Sequence, residues 1–203
     1  GKRVRAAFIA EPGNVLVAAD YSQIELRIVA SLAEDAEMIR IFEAGEDIHR
    51  STAARIHGVE LEAVTHDMRR SAKEINFGVL YGMGAFGLAS RTGITQHEAQ
   101  DFINRYFEVF SGVRKYLDAT IAAAKRDGYV ESFFWRRRYL PEMQSGNYQV
   151  RAAAERMAVN HPVQGTAADL MKLAMIAVDR LIQGDKNTTA RMLLQVHDEL
   201  ILE

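Results

Sequence analysis

The chain of 203 residues contains no cysteine, and this absence excludes two kinds of site. No disulfide framework can form and no thiolate can bind zinc, so a reducing, cytoplasmic compartment is the default expectation. The sequence also shows no signal peptide and no apolar run long enough to span a membrane. We therefore expect no membrane partner.

A strong excess of one charge is also missing, because 25 Lys and Arg residues stand against 27 Asp and Glu residues. The net charge of -2 and the pI of about 6.4 differ from those of a protein that coats nucleic acid. Any polyanion must therefore be bound by local basic patches. With 48% hydrophobic residues, the chain can bury a core as one or two domains.

The first informative stretch is a predicted strand that ends at an acid. Residues 15–19 are apolar, and all of them except Leu16 are small or β-branched. This predicts a buried strand, and Asp20 follows it directly. Ser22 and Glu25 then form the pattern of a helix capping box. Taken alone, this pattern is more typical of an ordinary strand end and helix start than of a metal site.

A second acidic stretch lies near the other end of the chain. His197, Asp198 and Glu199 interrupt an apolar run that then resumes, which predicts a tight hairpin with acids at its tip. If the hairpin joins the first strand in one sheet, Asp20 and Asp198 face each other, because neighbouring strands lie about 5 Å apart. Two such carboxylates repel unless a divalent cation lies between them. Hard oxygen ligands favour magnesium, and the set suits two-metal phosphoryl or nucleotidyl transfer.

The third informative stretch is a predicted helix within residues 69–82. Arg69, Lys73, Phe77 and Tyr81 recur at steps of four, so they share one slowly turning face. Two cations at one end suit phosphates, and two aromatic rings at the other suit a sugar and a base. An ordinary amphipathic helix with its rings in the core explains the same pattern equally well.

Gly82, Gly84 and Gly87 match the dinucleotide-binding pattern G-x-G-x-x-G, but the context does not. That pattern requires a strand, a helix and a second parallel strand, whereas residues 95–98 form a capping box that opens another helix. We expect these glycines to form a flexible turn between helices. A dinucleotide-dependent oxidoreductase is therefore a distant alternative.

The remaining segments are predicted to be mostly helical. A short helix over residues 48–57 carries His49 and His57, which are too isolated for a zinc site and are expected to be partly exposed. Two helices over 150–161 and 166–182 are expected to be separated by a break at Pro162.

A basic hairpin or loop is predicted over residues 129–140. Its Arg136, Arg137 and Arg138 either bind phosphates of a template or form a solvated charge run.

The three informative stretches resemble the motifs of family A DNA polymerases of the bacterial DNA polymerase I type. DYSQIELRI at residues 20–28 resembles motif A, RRSAKEINFGVLYG at 69–82 resembles motif B, and QVHDELI at 195–201 resembles motif C. The motifs occur in the right order and span nearly the whole chain. Three long motifs together are highly specific, so the resemblance outweighs the structural explanations of each motif alone.

The resemblance implies an α+β fold with an antiparallel palm sheet and a largely helical fingers subdomain. The palm is expected to comprise residues 1–35 and 146–203, and the fingers residues 36–145, with the motif B helix over about 66–81.

The resemblance also implies roles for the acids. Asp20 and Asp198 would hold two magnesium ions, which activate the primer 3′-hydroxyl and accompany the pyrophosphate. The carbonyl group of Tyr21 would be a further ligand. Glu199 would be a supporting acid in catalysis rather than an obligatory ligand.

On the helix, the resemblance implies that Arg69 and Lys73 bind the incoming dNTP, with Lys73 also protonating the leaving pyrophosphate as general acid. Phe77 would pack on the sugar, Tyr81 would lie at the nascent base pair, and Glu25 would exclude a ribose 2′-hydroxyl. Phenylalanine rather than tyrosine at position 77 is typical of members that discriminate against dideoxynucleotides.

The resemblance further implies a set of residues that face primer and template. Asn and Gln side chains can read minor-groove acceptors whose positions depend little on sequence. The chain departs from the family pattern at Trp135, which stands where a glycine usually precedes the arginines, so the local turn is expected to differ. The implied DNA-binding residues are Arg151, Arg156, Asn160, Gln164 and His197.

The predicted function is template-directed DNA synthesis by nucleotidyl transfer, in DNA replication or repair. The expected partners are primer-template DNA and dNTPs, and the expected state is a monomer. The alternative is a catalytically inactive fragment or a nucleic-acid-binding homologue. It is kept because the thumb, the arginine-bearing segment before motif A and everything after Glu203 are missing from the chain.

Overall fold

A computed structural model describes residue 4 and residues 6–203 of the chain. The first residues of the predicted palm, 1–3 and 5, lie outside the described residues. The described part combines many helices with two small antiparallel sheets. The predicted α+β fold class is confirmed.

Along the described chain, the first strand is followed by a run of helices, and the remaining strands occur in two pairs. The helices are α1 (Ile24–Leu32), α2 (Ala36–Glu43), α3 (Ile48–His57), α4 (His66–Leu80), α5 (Ala85–Thr92), α6 (Gln96–Val109), α7 (Ser111–Asp127) and α8 (Tyr148–Gly184). The strands are β1 (Val17–Asp20), β2 (Tyr129–Glu131), β3 (Arg137–Tyr139), β4 (Met192–Val196) and β5 (Glu199–Leu202). Short 3-10 helices occur at Leu61–Ala63 and Pro141–Gln144.

The chain divides into two compact units. The sheet unit comprises Gly1–Ile24 and Ala167–Glu203, and the helical unit comprises Glu25–Thr166. The sheet unit joins segments from the two ends of the chain. The assignment of palm and fingers to particular residues stays a prediction.

The sheet unit contains an antiparallel sheet in the order β1-β5-β4. Arg191 at the end of this sheet pairs with the carboxylates of Glu203 and Glu11, which ties the segment before β1 to the end of β5. The prediction that the first strand is buried is wrong, since every residue of β1 is exposed. The reason is that β1 is an edge strand, whereas the buried residue of this sheet, Leu200, lies on the central strand.

The helical unit is held together by apolar packing and by one buried carboxylate. Asp35 is 3% exposed, and its Oδ1 accepts a hydrogen bond from the Met38 N–H at the start of α2. Its Oδ2 accepts from the N–H groups of Gly112 and Val113 at the start of α7, at 2.9 and 3.3 Å. One side chain thus satisfies amide groups at the beginnings of two helices.

Helix α4 begins after Thr65, whose Oγ1 accepts from the Met68 N–H, and it ends one residue before the predicted limit of 81. Gly82 then turns the chain with a φ of +67°. The prediction that Gly87 also lies in a turn is wrong, because it is inside α5. A Cβ atom at position 87 would approach Met83 Cγ to 2.8 Å, so the glycine serves close packing.

The prediction of a helix break at Pro162 is also wrong, because α8 is continuous through the proline. A proline inside a helix removes one backbone hydrogen bond, at a cost of about 3 kcal/mol. Burial offsets this cost here, since Ala158, Val159 and Val163 on either side are buried. The Thr166 hydroxyl also donates to the Pro162 carbonyl at 2.5 Å. None of the helices described is long and apolar enough to cross a membrane.

Candidate active site

The sheet unit brings together the acids that the sequence separates by almost its whole length. In the antiparallel pairing of β1 with β5, Asp20 stands directly opposite Glu199. The Tyr21 N–H donates to the Asp198 carbonyl at 3.2 Å. Asp20 is exposed, and Asp198 and Glu199 are half-buried. Three acidic residues therefore lie at one end of this small sheet.

A tight turn connects β4 to β5 and carries two of the predicted site residues. His197 is exposed and has a φ of 57°, a conformation that only a few residues other than glycine adopt. The Gln195 side chain donates to the His197 carbonyl at 2.8 Å. This hydrogen bond fixes the turn, and with it the position of Asp198, as the predicted hairpin requires.

The donor chemistry of this acidic end fits magnesium better than a metal that needs a closed cage. No three His, Asp or Glu side chains in the described part of the chain are grouped so that they could hold an ion together. Two aspartate carboxylates leave most positions of a cation open. Magnesium keeps several water molecules and accepts phosphate oxygens at such positions.

In the helical unit, Arg69 is engaged by an acid that the sequence analysis did not identify. Its Nε and Nη2 both lie 2.7 Å from Oδ2 of Asp47. The other oxygen of Asp47 accepts from the N–H groups of His49 and Arg50 at the start of α3. Burial alone would raise the pKa of Asp47, but the hydrogen bond from Arg69 and those from the backbone lower it.

A buried polar cluster lies behind the predicted nucleotide-binding face of α4. The Asn76 amide donates to His49 Nδ1 at 2.9 Å and to Thr52 Oγ1 at 3.2 Å. The prediction that His49 is partly exposed is wrong, because it is 3% exposed. Burial lowers the pKa of His49 to about 4, and the cations of Arg69 and Lys73 act in the same direction, against Asp47. The imidazole ring also lies 5.7 Å from the Phe77 ring.

The rest of this face is partly open to solvent. Lys73 is exposed, and Phe77 and Tyr81 are half-buried, so the rings are not simply core residues. The Tyr81 hydroxyl donates to the carboxylate of Glu25, which lies on α1. Two residues that were predicted to have separate roles therefore form a pair.

Four of the predicted DNA-binding residues lie on α8, within the helical unit. Because the helix is continuous, Arg156, Asn160 and Gln164 lie at steps of four on one face. The Arg151 guanidinium donates to the Ser145 carbonyl at 3.0 Å. Among the described residues, the buried Oδ1 of Asn160 has no hydrogen-bond partner.

The basic hairpin that the sequence predicts is formed by β2 and β3. Arg137 is turned onto its own hairpin, because it donates to Glu131 at 2.7 Å and lies 4.6 Å above the Tyr129 ring. Arg138 donates to Met157 Sδ at 3.0 Å. Arg137 is therefore less available to a phosphate than the sequence suggests.

Comparison with known proteins identifies the class to which this fold and these motifs belong. The family model of DNA polymerase family A matches residues 1–203. The chain belongs to DNA polymerase family A, and the resemblance stated from its three motifs is confirmed.

Similar curated proteins include bacterial DNA polymerases. The chain is 55% identical over 203 residues to DNA polymerase I of Pseudomonas aeruginosa and 56% identical to the thermostable DNA polymerase I of Thermus aquaticus. In both cases all of this chain is matched, against 22% and 24% of the relative. The chain thus spans about a quarter of the length of these curated relatives.

A solved structure matches the whole chain as well. It is described as the POL domain of Pol1 from M. smegmatis in complex with a DNA primer-template and dNTP. The TM-score is 0.94 at 47% sequence identity, and the match covers 100% of this chain and 36% of the other. The fold described above is therefore that of a family A polymerase domain.

Proposed function

We propose that the chain is the catalytic part of a template-directed DNA polymerase, which transfers a nucleotidyl group from a dNTP to a primer 3′-hydroxyl in DNA replication or repair. The observation that carries the proposal is the pairing of β1 with β5, which gathers Asp20, Asp198 and Glu199 at one end of a sheet. The names of the bacterial relatives support it. The description of the matching structure, which names a DNA primer-template and dNTP, supports the proposal as well.

Asp20 and Asp198 are proposed to hold two magnesium ions, with the Tyr21 carbonyl as a further ligand. When bound, the ions would lower the pKa of the primer 3′-hydroxyl and neutralise charge on the pyrophosphate. Glu199 stands opposite Asp20 and is proposed to act as a supporting acid. The hydrogen bond from Gln195 orients the turn that carries Asp198.

Helix α4 is proposed to bind the dNTP along its four-step face, which is the face marked by Arg69, Lys73, Phe77 and Tyr81. Arg69 and Lys73 bind the triphosphate, and Lys73 gives a proton to the pyrophosphate as it leaves. Phe77 packs on the sugar. Tyr81 holds the Glu25 carboxylate by a hydrogen bond, and this pair restricts the space for a ribose 2′-hydroxyl.

Primer-template DNA is proposed to contact α8 and the β4–β5 turn. Arg151 and Arg156 meet phosphates, while Asn160 and Gln164 meet minor-groove atoms of base pairs. Asn160 and Gln164 lie one helical turn apart on the same face of α8, which supports a shared role. His197 is exposed at the turn and is proposed to contact the primer. The protein is proposed to work as a cytoplasmic monomer.

The test is magnesium-dependent primer extension by the longest natural form of the protein. We expect Asp20→Ala and Asp198→Ala each to slow extension by roughly a thousandfold, because metal ions supply several kcal/mol of transition-state stabilisation. Glu43→Ala is the matched control, since this acid is exposed on α2. If both aspartate variants extend primers as well as the parent, the metal assignment is wrong. A parent that binds primer-template but never extends it would support the inactive homologue instead.

A further inference from the structure

The loop of the β2–β3 hairpin has an unusual residue at its last position. The Trp135 N–H donates to the Ser132 carbonyl at 3.0 Å, and the Ser132 N–H donates to the Arg136 carbonyl at 3.0 Å. This arrangement is a three-residue hairpin loop, in which a turn is followed by a left-handed residue. Glycine is the usual residue at that position, whereas Trp135 adopts it here with a φ of 60°.

Nothing in the packing of the described residues explains a strained tryptophan at this position. Trp135 is 79% exposed, and Phe133 in the same loop is 63% exposed. We call these two residues the hairpin tip. Burial therefore does not compensate for the left-handed conformation of the tryptophan. Strained backbone of this kind is concentrated at sites of function rather than at sites that stabilise a fold.

The hairpin tip is held firmly on helix α8. The Phe133 N–H donates to Thr166 Oγ1 at 2.9 Å, and His161 Nε2 donates to the Arg136 carbonyl at 3.0 Å. These two contacts fall on the stretch of α8 that includes Asn160 and Gln164. The backbone that carries the exposed rings is consequently anchored beside residues for which a DNA contact is already proposed.

We propose that the hairpin tip stacks on an unpaired base of single-stranded DNA, beside the base pairs that α8 contacts. The inference rests on the proposed function and adds a contact to the template strand. Aromatic rings stack on every base, so such a contact does not depend on sequence, as template-directed synthesis requires. Three exposed arginines directly follow Trp135. Glu131 pairs with one of them, Arg137, so the run keeps a net positive charge that favours a polyanion over an apolar partner.

The central experiment is the variant Trp135→Gly, because glycine adopts a positive φ without strain. We expect a melting temperature equal to or above that of the parent. We also expect affinity for a primer-template with a single-stranded template overhang to fall at least about fivefold, as loss of one stacked base predicts. Affinity for the same duplex with a blunt end should not change. Trp135→Phe keeps a ring and should bind the overhang nearly as the parent does.

A second readout is the fluorescence of Trp135. It is obtained by subtracting the tryptophan emission of Trp135→Phe from that of the parent, which gives a difference signal. Stacking on a base quenches indole emission, so overhang DNA should quench this difference signal and blunt DNA should not. If Trp135→Gly binds the overhang like the parent, the inference is overturned. It is also overturned if this variant melts lower or loses affinity for both DNAs, because the ring then packs on protein.

The outcome also separates this inference from the proposed function. A parent protein that neither binds nor extends a primer-template would contradict both. A parent that extends primers normally, together with unaltered overhang binding by Trp135→Gly, would contradict the stacking contact alone.

Discussion

Acidification is expected to destabilise the helical unit, and His49 is expected to make a large contribution. His49 is buried, and its Nδ1 accepts a hydrogen bond from the Asn76 amide. Protonation would put an N–H group against another N–H donor and would bury a positive charge near the cations of Arg69 and Lys73. Only Asp47 among the groups that act on this pKa favours the charged imidazole.

The size of the effect follows from the shift in pKa. The folded protein holds His49 at a pKa of about 4, against 6.5 for an ordinary histidine. Between these values the unfolded chain binds more protons than the folded chain, so stability falls as the pH is lowered. The stabilisation is fully present above about pH 6.5 and is lost as the pH falls through about 4. At 1.36 kcal/mol for each pH unit, the loss amounts to roughly 3 kcal/mol.

The measurement is the free energy of unfolding in urea at several pH values between about 7 and 4, followed by circular dichroism. The variant His49→Gln keeps an acceptor for Asn76 but does not titrate, so its stability should fall less than that of the parent by roughly 3 kcal/mol. His97→Gln is the matched control, because His97 is exposed on α6. Parallel loss of stability in the parent and in His49→Gln over this range would refute the reasoning.

Three further predictions concern the candidate site. Phe77→Tyr should lower discrimination against dideoxynucleotides at least about fivefold, because a phenol can make one hydrogen bond in place of the missing 3′-hydroxyl; the incorporation ratio measures it. Asp47→Asn should lower the KM for dNTP by up to about fivefold, because Asp47 competes with the triphosphate for Arg69. A partly exposed ion pair of this kind contributes at most about 1 kcal/mol. Gly82→Ala should destabilise the protein by about 1–2 kcal/mol, because φ is +67° and the new Cβ would lie 3.0 Å from Arg156 Cγ; thermal unfolding measures it.

Each of these has a result that contradicts it. An unchanged incorporation ratio for Phe77→Tyr would remove the sugar contact assigned to this ring. A KM for dNTP that rises in Asp47→Asn would mean that Asp47 orients Arg69 rather than competes for it. Gly146→Ala is the control for the glycine variant, because a Cβ there meets nothing within 4 Å. Equal melting temperatures for the two alanine variants would exclude the strain at Gly82.

Local sequence patterns predicted the elements that depend on local interactions. Helix α3 runs from Ile48 to His57 as predicted, because Gly58 ends it in a left-handed conformation. The capping box at Thr95 and Glu98 forms with both reciprocal hydrogen bonds. These features depend on residues within a few positions of each other, so spacing and residue type were sufficient.

The predictions that were wrong depended on contacts between distant parts of the chain. Pro162 is a strong local signal for a break, but burial of its helical neighbours overrides it. The burial of His49 depends on Asn76, which lies 27 positions away and off the four-step face of α4. The strand that ends at Asp20 has the composition of a buried strand but lies at a sheet edge. Strand order and helix packing are not encoded in a single window of sequence.

The carboxylate of Asp35 has a consequence for how the helical unit opens. It accepts hydrogen bonds from amides at the starts of helices α2 and α7, and the Gly112 amide is 77 positions away from Asp35 in sequence. Neither helix start can lose this partner by itself while the side chain stays in place. Fluctuations that expose Met38 and Gly112 to solvent should therefore be one concerted event, and their amide hydrogens should exchange with deuterium at matching rates.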